Sequence, residues 1–247
     1  NLDTKEKIAT LKELIQNANY IVFFGGAGVS TESGLPDFRS VDGLYHQKYA
    51  FPPEEILSHD FFMERPTEFY QFYKEKLLIS GILPNPAHYA LRKLEEQGKL
   101  KAIITQNIDG LHQMAGSKAV YELHGSIHRY YCVKHHHRIP EEEIDFSASI
   151  PLCPHCHSLI RPDVVLYQEG LEEGILLESI AHIQNADLLI IGGTSLTVYP
   201  AAGLIRYFPH HGNNKLVLIN KEEGRLDTEC DLVLYGKIGE ILSEVVG

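Results

Sequence analysis

The sequence has few cysteines, no long apolar run and no basic stretch to offset its acidic residues. Its 247 residues include four cysteines and carry a formal net charge of −11. Four cysteines are too few for a disulfide framework in a chain of this length. The densest apolar run, Leu188–Ile191, is followed by two glycines and is far shorter than the ~20 residues that cross a bilayer. The shortness of this run predicts no membrane span. Since the negative charge repels phosphates and anionic lipid, we also expect no nucleic-acid partner.

A secretory signal pattern, internal repeats and linkers rich in Gly, Ser or Pro are also missing. The amino end is polar and acidic where a signal would be basic and then apolar. With 44% hydrophobic and 22% charged residues, the composition is typical of a folded globular chain. We expect a cytoplasmic protein that forms a single domain, and the sequence leaves its oligomeric state open, with a monomer compatible.

Short apolar runs alternate with helical periodicity along most of the chain. The predicted strands are Tyr20–Phe24, Leu100–Thr105, Val164–Tyr167, Leu188–Ile191, Leu216–Ile219 and Leu232–Leu234. The predicted helices cover Ile8–Ala18, the residues after Asn85-Pro86, the residues from Asp109, Gly174–Gln184, Tyr199–Tyr207 and Lys237–Val246. This alternation predicts an α/β fold, with a Rossmann-like parallel sheet covered by helices on both faces.

Two stretches interrupt the alternation and predict a smaller lobe. The first, rich in aromatic residues, is interpreted as helical, and the second holds three of the four cysteines and many histidines. We therefore assign residues 34–83 and 126–159 to a small lobe, helical in its first part and zinc-binding in its second. The large lobe is expected to comprise residues 1–33, 84–125 and 160–247.

A glycine-rich turn follows the first predicted strand. Glycines at Gly25, Gly26 and Gly28 would let the backbone approach a pyrophosphate beside a helix amino end. The usual dinucleotide fingerprint is incomplete, because Thr31 stands at its third glycine and no acidic residue ends a second strand about 20 residues on. An ordinary dehydrogenase is therefore disfavoured. Taken alone, the turn could equally serve only packing between strand and helix.

The residues after this turn resemble the sirtuins, the family of NAD-dependent protein lysine deacylases. The run GAGVSTESGLPDFRS, from Gly26 to Ser40, is similar to the signature of that family. Further similar motifs follow in the same order: TQNIDGLH (Thr105–His112), LHGS (Leu123–Ser126), RPDVV (Arg161–Val165), GTSLTVYPAA (Gly193–Ala202) and LIN (Leu218–Asn220). The resemblance covers nearly the whole chain and implies NAD as a co-substrate, consumed once for each lysine that is freed.

The resemblance implies a set of NAD contacts. Residues of the glycine turn and of the loop after it would hold the phosphates and cover the cofactor, while residues after later strands would hold the nicotinamide and adenosine ends. These predicted contacts are Ala27, Gly28, Thr31, Asp37, Phe38, Arg39, Gln106, Asn107, Ile108, Asp109, His124, Gly193, Thr194, Ser195, Asn220, Lys237 and Ile238.

Three of these residues are the predicted catalytic set. By resemblance, Asp109 meets the nicotinamide carboxamide, Asn107 lies near the ribose, and His124 is the general base that deprotonates ribose hydroxyls after nicotinamide has left. Imidazole suits that role because its pKa is near neutrality. From the residues alone, Asn107 or Asp109 could instead cap the helix that begins here, and a lone histidine is more often structural.

The acyl-lysine substrate is expected to bind between the lobes as an added strand. The backbone segments predicted to pair with it contain Val164, Val165, Leu166, Tyr167, Val198 and Tyr199. One departure from the family lies here, because Tyr167-Gln168-Glu169 stands where Phe-Gly-Glu is common. The mouth of the acyl tunnel is therefore expected to differ.

The cysteine-rich stretch predicts a structural zinc site. Sirtuins usually carry four cysteines here, whereas this sequence has Cys132, His135, Cys153 and Cys156 at the corresponding positions. That set suits a closed tetrahedral site. His136, His137, His155 and His157 compete for the histidine position, and loss of the site, with free thiols, is the alternative.

Two other functions use the same motifs. A mono-ADP-ribosyltransferase would share the first chemical step, and a non-catalytic module would bind NAD or acyl-peptide only. The presence of His124 favours deacylation over both. Relatives that prefer succinyl or malonyl groups place a Tyr and an Arg after the Asp-Phe-Arg motif, whereas residues 43–49 here contain no arginine. Acetyl or uncharged longer acyl groups are therefore expected, although Lys48 could partly substitute for the arginine.

Overall fold

The computed structural model describes residues 3–36 and 49–247. Its α-helices are α1 (Thr4–Asn17), α2 (Pro53–Ile56), α3 (His59–Glu64), α4 (Pro66–Phe72), α5 (Pro86–Glu96), α6 (Leu111–Met114), α7 (Glu173–Asn185) and α8 (Ile238–Val246). Its strands are β1 (Ile21–Gly25), β2 (Leu100–Thr105), β3 (Val120–Glu122), β4 (Gly125–Cys132), β5 (Arg138–Ile139), β6 (Ile160–Val164), β7 (Leu188–Gly192), β8 (Lys215–Asn220) and β9 (Leu232–Tyr235).

Six of these strands form a parallel sheet in the order β3-β2-β1-β7-β8-β9. The predicted α/β class is confirmed, and strands β1, β2, β7, β8 and β9 lie within a residue or two of the predicted bounds. Strand β3 was not predicted, because three half-buried residues give too short a pattern. Since parallel strands all end at the same edge, the turns after β1, β2, β7 and β8 are brought together.

Alternate residues of the central strands supply the cores on the two faces of the sheet. Phe23 and Ile190 belong to the cluster formed with α1, α5 and α8. Phe24 and Ile191 belong to the cluster formed with α7. All four side chains are fully buried, which explains why these strands are continuous apolar runs.

A second, antiparallel sheet of order β5-β4-β6 packs with α2, α3 and α4 around a separate core. That core is aromatic: Phe62, Phe69, Tyr70, Tyr73 and Tyr130 are almost completely buried and make edge-on or stacked contacts. The boundaries assigned above to the two lobes stay a prediction. No helix within residues 3–36 and 49–247 has both the length and the apolar character needed to cross a membrane.

Three expected elements are corrected. The strand expected at Val164–Tyr167 in the parallel sheet is wrong, because β6 ends at Val164 and pairs with β4 in the antiparallel sheet. The helix expected from Asp109 begins at Leu111, since Gly110 before it is left-handed at φ 72°; the Asp109 carboxylate accepts from the Leu111 N–H. The segment expected to be helical from Tyr199 is a 3₁₀ helix at Ala201–Tyr207.

Candidate active site

The glycine turn after β1 packs directly against the end of β7. The Gly28 N–H donates to the Gly193 carbonyl over 2.7 Å. A Cβ atom at Gly28 would lie 2.7 Å from the Gly193 Cα atom, so no larger residue fits without moving the backbone. Packing therefore requires this glycine, whatever the turn binds.

The segment after β2 is tied to the same turn. The Asn107 side-chain amide donates to the Gly26 carbonyl over 2.8 Å and lies 3.3 Å from the Ser30 hydroxyl oxygen. One oxygen of Asp109 accepts from the Ser30 hydroxyl at 2.6 Å, and the other accepts from the Leu111 N–H at 2.9 Å. Asp109 therefore caps α6 and also faces the turn, whereas Asn107 does not act as a cap.

His124 lies between β3 and β4, with one ring nitrogen fixed by the backbone. Its Nδ1 lies 2.9 Å from the Gln106 carbonyl oxygen. Because a carbonyl oxygen only accepts, the neutral ring carries its proton on Nδ1 and leaves Nε2 as the basic nitrogen. Burial lowers the pKa of His124 below its usual 6.5, against the opposing effect of the Gln106 bond. The imidazole is thus neutral near pH 7 and able to accept a proton.

The ends of β2, β7 and β8 are joined by side-chain bonds. The Thr194 N–H donates to the Asn220 amide oxygen at 3.1 Å, and the Asn220 amide donates back to the Thr194 carbonyl at 3.0 Å. The Gln106 amide reaches the Thr194 hydroxyl at 3.3 Å. These bonds fix a rigid polar rim at the carboxyl edge of the sheet.

These segments open on a cavity of about 600 Å³. The predicted site residues that line it are Ala27, Gln106, Asn107, Ile108, Asp109, His124, Val164, Val165, Leu166, Tyr167, Gly193, Thr194, Ser195, Val198 and Tyr199. Gly28, Thr31, Asn220, Lys237 and Ile238 are not among its lining residues. The structure therefore brings together the predicted catalytic set and both predicted peptide segments. Asp37, Phe38 and Arg39 lie outside the described residues.

The segment after β6 has most of its backbone groups already bonded. The Val165 N–H donates to the His124 carbonyl at 2.8 Å, and the Tyr167 N–H donates to the Leu57 carbonyl at 2.9 Å. Within residues 3–36 and 49–247, the Val165 carbonyl accepts no hydrogen bond. Tyr167 and Tyr199 are 43% and 72% exposed where they line the cavity. An extended peptide would thus find the Val165 carbonyl and two tyrosine rings available.

Sequence reasoning missed several residues that support the site. Ser30 is buried and links Asn107 to Asp109, although it stands inside the quoted signature. His88 and His112 are buried with their rings 4.9 Å apart, and burial lowers the pKa of His88 to about 4 and of His112 to about 3. The only sequence signal for their burial is that His88 and His112 lie in helical segments.

A group of metal-binding side chains lies in the small antiparallel sheet and its turns. Ligand atoms of Cys132, His137, Cys153 and Cys156 all lie within 4.8 Å of one another. His137 therefore replaces His135 as the predicted histidine ligand. The correction follows from a turn that places His136 at φ 57° and brings the His137 N–H to 3.2 Å from the Cys132 sulfur. Three thiols and one imidazole are a donor set that fits tetrahedral zinc.

Comparison with known proteins identifies the family. The model of the Sir2 family matches residues 26–200. The chain is 55% identical over 244 residues to a protein of Clostridium acetobutylicum, with 98% of both chains covered. It is 56% identical over 243 residues to a protein of Clostridium perfringens, with 98% of this chain and 99% of that one covered. Both relatives are named NAD-dependent protein deacetylase.

Solved structures agree with the sequence relatives. A structure described as "Structural Basis for the Mechanism and Regulation of Sir2 Enzymes" matches with a TM-score of 0.89 and 40% identity, covering 98% of this chain and 97% of the other. A second, described as "Sir2-p53 peptide-NAD+", has a TM-score of 0.84 and 40% identity over 99% of this chain and 97% of that one.

Proposed function

The chain belongs to the Sir2 family, and from this premise we propose that it is an NAD-dependent protein lysine deacetylase. It transfers the acyl group of an acyl-lysine to ADP-ribose and releases nicotinamide. The observation that carries the proposal is the geometry of His124, whose Nδ1 is held by the Gln106 carbonyl and whose Nε2 is left to accept a proton in the cavity. Burial keeps this base neutral at physiological pH.

Different residues of the cavity bind NAD and the acyl-lysine peptide. NAD binds along the rim formed by the glycine turn, Thr194 and Ser195, with its nicotinamide end toward Asn107 and Asp109. The bonds from Asn107 and Ser30 hold that end of the pocket in place before substrate arrives. The acyl-lysine enters beside the Val165 carbonyl, which can accept its amide N–H. Nicotinamide leaves as the acyl oxygen bonds to the ribose carbon that held it. His124 then removes a proton from a neighbouring ribose hydroxyl, so that the freed oxygen attacks the acyl carbon; the lysine amine leaves that carbon, and water completes the release of O-acyl-ADP-ribose.

The metal site has a structural role in this proposal. Cys132, His137, Cys153 and Cys156 would hold zinc, which contributes folding energy to the small sheet and its turns. A tetrahedral zinc held by all four side chains would have no position left for a reacting water. The proposed chemistry therefore depends on the zinc only through the fold.

The proposed substrates are acylated proteins of the cytoplasm, bound without nucleic acid or membrane. The net charge of −11 supports this. Aliphatic side chains such as Leu57, Leu77 and Leu166 line one side of the cavity. Its described lining residues include no arginine, and the lysine among them, Lys76, lies 3.9 Å from the Glu75 carboxylate. Such walls favour acetyl or another uncharged acyl group over a succinyl group.

The test is incubation of the purified protein with acetyl-lysine and succinyl-lysine peptides of one sequence, with and without NAD, followed by mass spectrometry. We expect deacetylated peptide, nicotinamide and O-acetyl-ADP-ribose only with NAD, and slower release of the succinyl group. ADP-ribose attached to protein, without deacylation, would instead assign a mono-ADP-ribosyltransferase. Binding of both substrates without any product would assign a non-catalytic module.

A further inference from the structure

Gln168 adopts a backbone conformation that favours glycine. Its φ is 76°, in the left-handed region where a Cβ atom is strained. The family motif commonly has glycine at this position. The backbone of Gln168 is therefore strained where a glycine would not be. A strained non-glycine residue in the wall of a binding cavity indicates that its side chain has a use.

The Gln168 side chain bonds the peptide-binding segment to the start of α3. Its amide oxygen accepts from the Asp60 N–H at 2.9 Å, and its amide nitrogen lies 3.3 Å from an Asp60 carboxylate oxygen. The Asp60 N–H is in the first turn of α3, where no intrahelical carbonyl is available. A glycine at position 168 could make neither bond.

Backbone bonds continue the same connection one residue earlier. The Tyr167 N–H donates to the Leu57 carbonyl, and the Tyr167 carbonyl accepts from the His59 N–H, each at 2.9 Å. The segment is thereby held along the linker between α2 and α3. Tyr167 is exposed, so its backbone bonds lie close to solvent, where local opening is easiest and where the adjacent Gln168 side-chain bonds would add restraint.

The other side of the segment is anchored in the interior. Glu169 accepts two bonds from the Arg161 guanidinium, at 2.6 and 2.8 Å, and a third from the Leu166 N–H at 2.9 Å. Arg161 is buried, and it also donates to the Val164 carbonyl at 2.8 Å. The interior anchor thus fixes residues 164–166. The Tyr167 end is held to the start of α3 by its own backbone bonds, by the His59 ring nitrogen 2.9 Å from Glu169 and by the Gln168 side chain.

We propose that Gln168 is a positioning residue that holds the Val164–Tyr167 segment ready for the acyl-peptide. This inference rests on the proposed function, because it names the determinant of peptide affinity at the same site. Gln168 touches neither the NAD rim nor the reacting atoms. It therefore sets the KM for the peptide and leaves the NAD-binding half of the cavity unchanged.

The test compares Gln168→Gly with Gln168→Ala. Both variants lose the bonds to Asp60. Since a hydrogen bond contributes a modest free energy, we expect the KM for an acetyl-lysine peptide to rise by up to about fivefold. The kcat and the KM for NAD should stay unchanged. The thermal midpoint should fall in Gln168→Ala, which keeps the strain, and hold or rise in Gln168→Gly, which relieves it. A merely structural role would instead make peptide affinity follow stability.

Gln97→Gly is the matched control, because Gln97 is an exposed glutamine at the end of α5. Two measurements do not depend on turnover: calorimetric binding of the peptide, and hydrogen exchange at the amides of Asp60 and Tyr167. Faster exchange together with weaker peptide binding in both Gln168 variants supports the proposal. Unchanged exchange, or faster exchange with unchanged peptide binding, overturns it.

The same experiment separates this inference from the proposed function. If the wild-type protein binds the peptide but does not deacylate it, the proposed function fails while the Gln168 comparison still gives its answer. If the wild-type protein binds no acyl-lysine peptide, both fail.

Discussion

At the scale of single residues, backbone contacts decide what the ionisable side chains of this protein can do. The Gln106 carbonyl selects the tautomer of His124 and so points its basic nitrogen away from the main chain. Ser30 supplies a proton donor to Asp109, and the amide of Asn107 is held by the Gly26 carbonyl. The proposed catalytic groups are therefore fixed before any substrate binds, which is the arrangement that lowers the entropy cost of reaction.

Two buried histidines, His88 and His112, make the free energy of unfolding decrease as the pH falls. His112 has a pKa of about 3 in the folded chain, caused first by burial, against 6.5 when exposed. Between pH 6.5 and 3 the unfolded chain binds the proton and the folded chain does not, so stability falls as pH falls through this window. His88, at about 4, adds to the same trend between pH 6.5 and 4.

His112→Leu tests this directly. Neither ring nitrogen of His112 has a hydrogen-bond partner among the described residues, so an apolar side chain of similar size should leave stability at pH 7.5 unchanged or raise it. We expect urea unfolding to show a smaller loss of stability between pH 7 and 5 for the variant than for the wild type. Parallel pH profiles for the two proteins would contradict the assignment.

At the scale of elements, the site depends on the common edge where parallel strands end. The turn after β1 is pressed against the end of β7, and the loop after β2 is bonded to both. Helix α8 approaches the same edge, since a Cβ atom at Gly192 would lie 2.3 Å from the Ile238 side chain. A displacement of one strand end would therefore move the whole NAD rim.

Gly28→Ala should displace the turn. The added methyl group would meet the backbone of Gly193, which cannot move as a flexible side chain would, and we expect a loss of about 1–3 kcal/mol of stability with a large rise in the KM for NAD. Gly224→Ala is the control, because the added carbon would there have only ordinary contacts. Equal behaviour of the two variants in thermal unfolding and NAD kinetics would refute the role of this contact.

The central elements could be predicted from sequence and the connecting turns could not. Strand β2 was located to the residue, because its buried residues, Leu100 and residues 102–105, form a short and largely apolar run that only the exposed Lys101 interrupts. Strand β6 was misplaced, because it contains Arg161 and Pro162, which are accommodated on an edge strand and by an ion pair to Glu169. The ion pair and the edge position depend on residues far away in the sequence, so the local hydrophobic pattern does not predict them.

In the candidate site, too, residues recognised from local motifs were predicted and residues that depend on remote contacts were not. The catalytic set was predicted from the family resemblance, and the structure gathers Asn107, Asp109 and His124 around the cavity. At the metal site the structure favours His137, one of the competing histidines, over His135, because a left-handed turn at His136 decides which ring approaches the thiols. Spacing alone gives no information about that turn. Ser30 and Gln168 act through hydrogen bonds to remote elements, which no local pattern shows.

At the scale of the whole molecule, the cavity joins the carboxyl edge of the parallel sheet to the aromatic core of the small sheet. Loops after the parallel strands line it together with Val164 and Leu166, which belong to the aromatic core. The metal site lies in the small sheet and its turns, and Cys132 and Cys153 belong to that aromatic core. Loss of the metal would therefore disturb the packing of this core and, through it, the segment expected to bind the peptide.

His137→Ala and His135→Ala form a matched pair for the metal site. We expect His137→Ala to bind zinc more weakly and to have a lower thermal midpoint, because a ligand is lost, whereas His135→Ala should keep its zinc. Zinc content after dialysis against a chelator, measured by mass spectrometry, separates the two. Retention of zinc by His137→Ala together with loss from His135→Ala would restore the spacing-based assignment.

The most direct test of the central claim is a comparison of two reactions in His124→Ala. If His124 acts as base only after nicotinamide has left, exchange of labelled nicotinamide into NAD, in the presence of acetyl-lysine peptide, should continue in the variant. Release of free lysine peptide should fall by about 10²–10⁴-fold, the usual contribution of a general base. Loss of both reactions in a folded variant, or retention of deacetylation, would contradict the account.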